Sequence, residues 1–192
     1  MIEMRNWLRI MVLVAACRPS GSGPPQVARV SSASAAPAPR PSPAGGQAID
    51  TTWLKIDAEK KTATFQLIAG LTGLNGALNF NGYRDGGLTL TVPVGWNVVM
   101  EFSNRDGDLP HSAEVIDTVT PLPPGPVDPA FPRAVTIRLS QGLDAGQTDD
   151  IRFVANRAGS FVIFCAVPGH GLAGMWIRFV ASASAARPAL ST

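Results

Sequence analysis

Residues 161–179 read Phe161-Val162-Ile163-Phe164-Cys165-Ala166-Val167-Pro168-Gly169-His170-Gly171-Leu172-Ala173-Gly174-Met175-Trp176-Ile177-Arg178-Phe179. Before the middle of this stretch, Phe161, Ile163 and Cys165 share one parity. After it, Met175, Ile177 and Phe179 do the same. Alternation of this kind marks a strand with one buried face. Between the two runs, Pro168, Gly169, Gly171 and Gly174 stop both strands and permit a tight turn. The reading is strand, loop, strand, with Cys165, His170 and Met175 spaced C-x4-H-x4-M on the loop at one end of a sheet.

Working outward, the same period recurs. Ala63, Phe65, Leu67 and Ala69 form one set, followed by Leu88, Leu90 and Val92, by Val98, Met100 and Phe102, and by Val135, Ile137 and Leu139. Turn chemistry separates them at Asp57 to Lys61, Asp85-Gly86-Gly87, Pro93-Val94-Gly95 and Asn156 to Gly159. No sustained helical period occurs. Gly (19) and Pro (17) are too frequent in 192 residues for a helix bundle. An all-β domain of about seven to nine short strands, an antiparallel sandwich or barrel, is expected over residues 49–180. One stretch, with Pro121, Pro123, Pro124, Pro126, Pro129 and Pro132, reads as a rigid surface loop, because Pro cannot donate to a ladder.

The rarest residues carry the chemistry. The chain has two His, His111 and His170, and two Cys, Cys17 and Cys165. That excludes a disulfide framework, a trinuclear copper cluster and a three-His zinc centre. A single metal must share the two imidazoles with other ligands. His111 lies in Leu109-Pro110-His111-Ser112, at the start of a strand pattern. Two imidazoles, one thiolate and one thioether make the donor set of a mononuclear blue-copper site, with two His and Cys in a plane and a long axial Met. Zinc accepts the same imidazoles and thiolate but rarely a structural Met. The expected cofactor is therefore one copper ion.

C-x4-H-x4-M after an aromatic strand, with an upstream Pro-His, resembles the cupredoxins. The stretch Phe80-Asn81-Gly82-Tyr83, then Leu88 to Val98, then Leu109-Pro110-His111, resembles the sulfocyanins among them, with rusticyanins as near relatives. The resemblance covers roughly residues 71–180. It implies a Greek-key β-sandwich holding one type 1 copper, with His111, Cys165, His170 and Met175 as ligands. It implies that the backbone amides of Ser112 and Val167 point at the Cys165 sulfur. It also implies an exported one-electron carrier of a respiratory chain rather than an enzyme. The far edge of His170 would face solvent, rimmed by the uncharged residues Pro168, Gly169, Gly171, Leu172 and Ala173. Such a rim suits brief contact with a redox protein, such as a cytochrome or terminal oxidase. A monomer is expected. The competing reading is copper handling, as a chaperone or store, for which exposed and exchangeable ligands would be required.

Toward the N-terminus, Arg5 and Arg9 precede the apolar run Ile10 to Ala16, as in a secretion signal. Val14-Ala15-Ala16-Cys17 resembles the lipobox of bacterial lipoproteins, so residues 1–17 are expected to direct export and Cys17 to receive lipid. The domain would then be anchored to a membrane, in the periplasm or on the outer face of the envelope. Residues 18–48 are dominated by Pro, Ala, Ser and Gly and read as a disordered tether. Residues 181–192 return to that composition and read as a flexible tail. A formal net charge of +2 gives no electrostatic footprint for nucleic acid. No apolar run reaches the roughly 18 residues of a bilayer-spanning helix.

Overall fold

The computed structural model describes residues 49–192. The expected signal segment of residues 1–17, the expected lipidation of Cys17 and the expected tether of residues 18–48 lie outside the described residues. After a short 3-10 turn at Thr51–Trp53, the described residues form nine strands: β1 Leu54–Asp57, β2 Thr62–Ala69, β3 Thr89–Pro93, β4 Asn97–Asn104, β5 Glu114–Asp117, β6 Thr148–Val154, β7 Gly159–Phe164, β8 Trp176–Ser182 and β9 Ala189–Ser191. They build two sheets, ordered β1-β2-β4-β6 and β5-β7-β8-β3-β9.

Both sheets are mixed, which refines the antiparallel expectation. Strand β2 pairs with β4 in parallel, Phe65 opposite Met100, and β3 pairs with β8 in parallel, Leu90 opposite Phe179. The topology explains the first pair. Between β2 and β4 the chain crosses to the other sheet for β3 and crosses back, and the two crossings restore its direction.

The alternating residues do what their period requires. Ala63, Phe65 and Leu67 from β2, Met100 and Phe102 from β4, Leu90 and Val92 from β3, and Ile177 and Phe179 from β8 meet in one core between the sheets. Strand β7 is buried on both faces. Phe161 and Ile163 enter that core, while Val162 and Phe164 join Ile116 and Ala166 in a second layer. Leu122 from the Pro-rich segment, Leu139 and Trp176 cover this second layer.

The structure corrects three expectations here. First, Val135 to Leu139 form no strand. Only Val135 bridges, to Glu114, and the expected parity fails: Thr136 is buried whereas Ile137 is 61% exposed. The Thr136 hydroxyl accepts the Ala113 amide at 3.1 Å, so a polar side chain takes the inward position. Arg138 has a positive φ of 54° and its carbonyl accepts from Gly142, which turns the chain away. Second, the tail does not fray. Strand β8 continues to Ser182, and β9 pairs antiparallel with β3, Leu190 opposite Leu90. Leu190 packs on the edge of the core, which supplies what the Ala/Ser-rich composition hides. Third, the Pro-rich segment is more than a surface loop. At its end Phe131 is fully buried and touches Phe153, Phe161 and Phe179, with ring centroids 5.2, 4.7 and 6.0 Å away.

Candidate metal centre

Cys165 follows directly on the last residue of β7, and Trp176 opens β8. The loop between them is closed by its own backbone. The Cys165 amide donates to the Met175 carbonyl at 3.1 Å, and the Met175 amide donates to the His170 carbonyl at 3.1 Å. The His170 amide donates to Val167, and Ala173 to Gly169. The loop is braced from outside as well. The Asn75 side-chain amide donates to the Ala173 carbonyl at 2.8 Å, and the Gly169 amide donates to Pro124 at 2.9 Å.

His111 comes from a different part of the sheet. It precedes β5 and exchanges two backbone hydrogen bonds with Leu143, at 3.1 and 2.7 Å. Gly142 makes this approach possible. Its φ is +76°, and a Cβ there would meet the His111 nitrogen at 2.8 Å.

The sandwich thus brings the donors together. The Cys165 sulfur lies 3.5 Å from His170 Nδ1 and 3.9 Å from His111 Nδ1. The ligand atoms of His111, Cys165 and His170 all fall within 4.8 Å of one another. The two imidazole rings are 5.2 Å apart and tilted by 59°. A planar three-donor site with bonds of about 2.0–2.3 Å places neighbouring donors about 3.6 Å apart. The donor spacing and the mixed nitrogen–thiol chemistry therefore fit a single small soft-to-borderline ion. His111, Cys165 and Met175 are fully buried, and His170 is half-buried.

Backbone amides surround the thiol. The Ser112 amide donates to the Cys165 sulfur at 3.4 Å, and the Val167 amide also bonds to it. The Ser112 hydroxyl lies 3.9 Å from the sulfur and accepts the Ala166 amide at 3.1 Å. Burial pushes the free thiol up, against the pull of these donors. It pushes both imidazoles down, so His111 and His170 favour the neutral form that binds metal. Around His170, Pro168, Gly169, Leu172 and Ala173 are exposed. Gly171 is not: it is buried, and a Cβ on it would come within 2.7 Å of the Phe164 ring. It shapes the loop from beneath and leaves the rim to its neighbours.

Sequence reading misses one partner. Asp106, between β4 and His111, presents Oδ2 to His111 Nε2 at 2.8 Å. Burial raises the Asp106 carboxyl, but the amides of Asp108 and Leu109 together with His111 hold it below the ordinary range. The available signal is an Asp five positions before a His, just past a strand, which is too common to single out.

The sulfocyanin (SoxE) domain family matches residues 50–191. The chain belongs to the sulfocyanin family. Sulfocyanin from Sulfolobus acidocaldarius is 25% identical over 138 residues, covering 68% of this chain and 69% of that one. A rusticyanin variant structure aligns with a TM-score of 0.51 at 20% identity, over 68% of this chain and 86% of its own. Auracyanin A from Chloroflexus aurantiacus aligns with a TM-score of 0.47 at 20% identity, over 63% of this chain and 99% of its own. The fold is the cupredoxin sandwich, as the sulfocyanin membership and the rusticyanin alignment require. Sulfocyanin domains are blue copper proteins of the electron-carrier kind, each with one copper. In this one, His111, Cys165, His170 and Met175 lie near one another as the potential site.

Proposed function

We propose that the chain is an exported one-electron carrier of a respiratory chain, with one copper held by His111, Cys165, His170 and Met175. The observation that supports this most is the convergence of the Cys165 sulfur with the two Nδ1 atoms, 3.5 and 3.9 Å away. When bound, copper supplies a one-electron couple between Cu(I) and Cu(II). The residues do the rest. Backbone bonds closing the loop, with the Asn75 and Pro124 braces, fix the donors in one arrangement, which limits reorganisation when charge changes. Burial of His111, Cys165 and Met175 excludes water. His170 alone of the four reaches the surface, beside Pro168, Gly169, Leu172 and Ala173, where a cytochrome or terminal oxidase would dock.

Burial of the donors speaks against copper handling, which needs exchangeable ligands. The two readings separate by titrating the copper-loaded protein with redox mediators through several cycles. A carrier takes up and releases one electron per protein while retaining its metal. Loss of copper to a chelator on each reduction would establish a store or chaperone instead. Lipidation at Cys17, proposed from Val14-Ala15-Ala16-Cys17, would hold the monomeric domain at the outer face of a membrane. Incorporation of labelled fatty acid into wild type and its loss in Cys17→Ala tests this.

A further inference from the structure

We propose that Asp106 is a positioning residue for the copper couple, fixing the His111 tautomer and favouring the oxidised ion. The inference rests on the copper reading above and concerns a residue outside the ligand set.

The two nitrogens of His111 face different groups. Nδ1 faces the Cys165 sulfur and Nε2 faces Asp106 Oδ2 at 2.8 Å. An ionised carboxylate only accepts, so the ring proton must sit on Nε2, and the Nδ1 lone pair points into the donor cluster. The ring is fully buried and Asp106 is 7% exposed, so no water competes for either nitrogen.

The carboxylate is itself held in place. The Asp106 amide donates to Asn104 Oδ1 at 2.9 Å, and Asp106 Oδ1 accepts the Asp108 amide at 2.9 Å. Asn104 in turn donates to the carbonyls of Leu109 and Leu143, at 2.8 and 2.9 Å, tying this loop to both flanks of His111. Gly70 lies against it: its φ is +64°, and a Cβ there would stand 2.6 Å from Asp106 Cβ. Three segments therefore close on one buried side chain.

A backbone carbonyl, which also only accepts, would fix the tautomer equally well. What Asp adds is a full negative charge in a site of low dielectric, where such a charge is costly without a positive partner. Neutral His111 does not supply one. A divalent ion beyond the ring does: the Cys165 thiolate and Asp106 together balance its two charges. An electron donated by the redox partner then enters a centre that is already neutral, which disfavours reduction.

Two measurements on the full-length protein test this. In metal-free wild type, nitrogen-15 NMR of the imidazoles should show His111 as the Nε2–H tautomer. In copper-loaded Asp106→Asn, which keeps an acceptor oxygen, the visible band should persist. Its one-electron equilibrium should shift about tenfold toward Cu(I), a rise of about 59 mV. Metal-free Asp106→Ala should in addition lose the tautomer preference. A His111 protonated on Nδ1 in wild type overturns the inference even if no variant folds. An unchanged potential in a coloured Asp106→Asn protein overturns the charge role. Absence of the band in wild type would instead refute the copper reading itself.

Discussion

Ser112 and Cys165, 53 positions apart in sequence, meet where the Ser112 amide donates to the Cys165 sulfur at 3.4 Å. The contact joins the approach to β5 to the end of β7, the two strands that carry His111 and the ligand loop. The same Ser112 accepts the Ala166 amide through its hydroxyl at 3.1 Å. Ser112→Ala therefore leaves a buried amide without its acceptor while keeping the backbone donor to sulfur. The metal-free variant should lose about 1–3 kcal/mol, measured by urea unfolding, and still take up copper with its colour. A variant as stable as wild type would contradict the role given to the hydroxyl.

Glu114 gives a pH dependence of definite sign. The side chain is fully buried beneath the Pro-rich segment. Oε2 accepts the Val127 amide at 3.4 Å, and Oε1 has no hydrogen-bond partner. Burial, with Asp128 adding repulsion, raises its carboxyl from 4.5 to about 7. Between these values the folded state keeps a proton that the unfolded chain has released. Glu114 should thus contribute stability that is lost as pH rises through the window, by about 3 kcal/mol, against the opposite contribution of the two depressed imidazoles. Glu114→Gln should remove this contribution, so that wild type loses about 3 kcal/mol relative to the variant across the window. Unfolding midpoints at about pH 5 and about pH 8 check it, and equal slopes in both proteins would refute it.

Phe131 anchors the end of the Pro-rich segment in the core. It stacks on Phe153 with an interplanar angle of 19°, and the Arg157 guanidinium lies 5.3 Å from its ring centroid. Phe131→Ala should cost about 3–5 kcal/mol in denaturant unfolding. The visible copper band should survive under native conditions, since residue 131 is no ligand. A loss below 1 kcal/mol would mean that the segment rests on the surface only.

Met175 is fully buried, with its amide on the His170 carbonyl and its carbonyl accepting from Cys165. A thioether in the axial position favours Cu(I), and a Gln oxygen favours Cu(II). Met175→Gln should lower the reduction potential, and Met175→Leu should raise it, each in a protein that keeps its colour. Every 59 mV corresponds to a tenfold change in the equilibrium. Voltammetry giving equal potentials for the two variants would exclude axial ligation.

Period-two patterns in Ala63 to Ala69, Leu88 to Val92 and Val98 to Phe102 were enough to read the sandwich, because each of these strands buries one face in a single core. The ligand loop was legible because its chemistry is local, packed between Cys165 and Met175. What stayed hidden depends on distant pairing. Strand β9 exists because the edge of β3 accepts it, and its sequence carries no alternation long enough to notice. Val135 to Leu139 mimics a strand, yet the Thr136 hydroxyl finds the Ala113 amide and reverses the parity. Asp106 could not be assigned to His111 before the turn through Asn104 had brought its carboxylate to Nε2.

A type 1 copper centre here depends on the Cys165 sulfur, which lies 3.5 and 3.9 Å from the two imidazole Nδ1 atoms. Adding one equivalent of Cu(II) to the purified protein and recording its visible spectrum tests this most directly. Wild type should show an intense thiolate-to-copper band that is absent from Cys165→Ser. Copper bound by wild type without that band, or a band that survives the loss of Cys165, would contradict it.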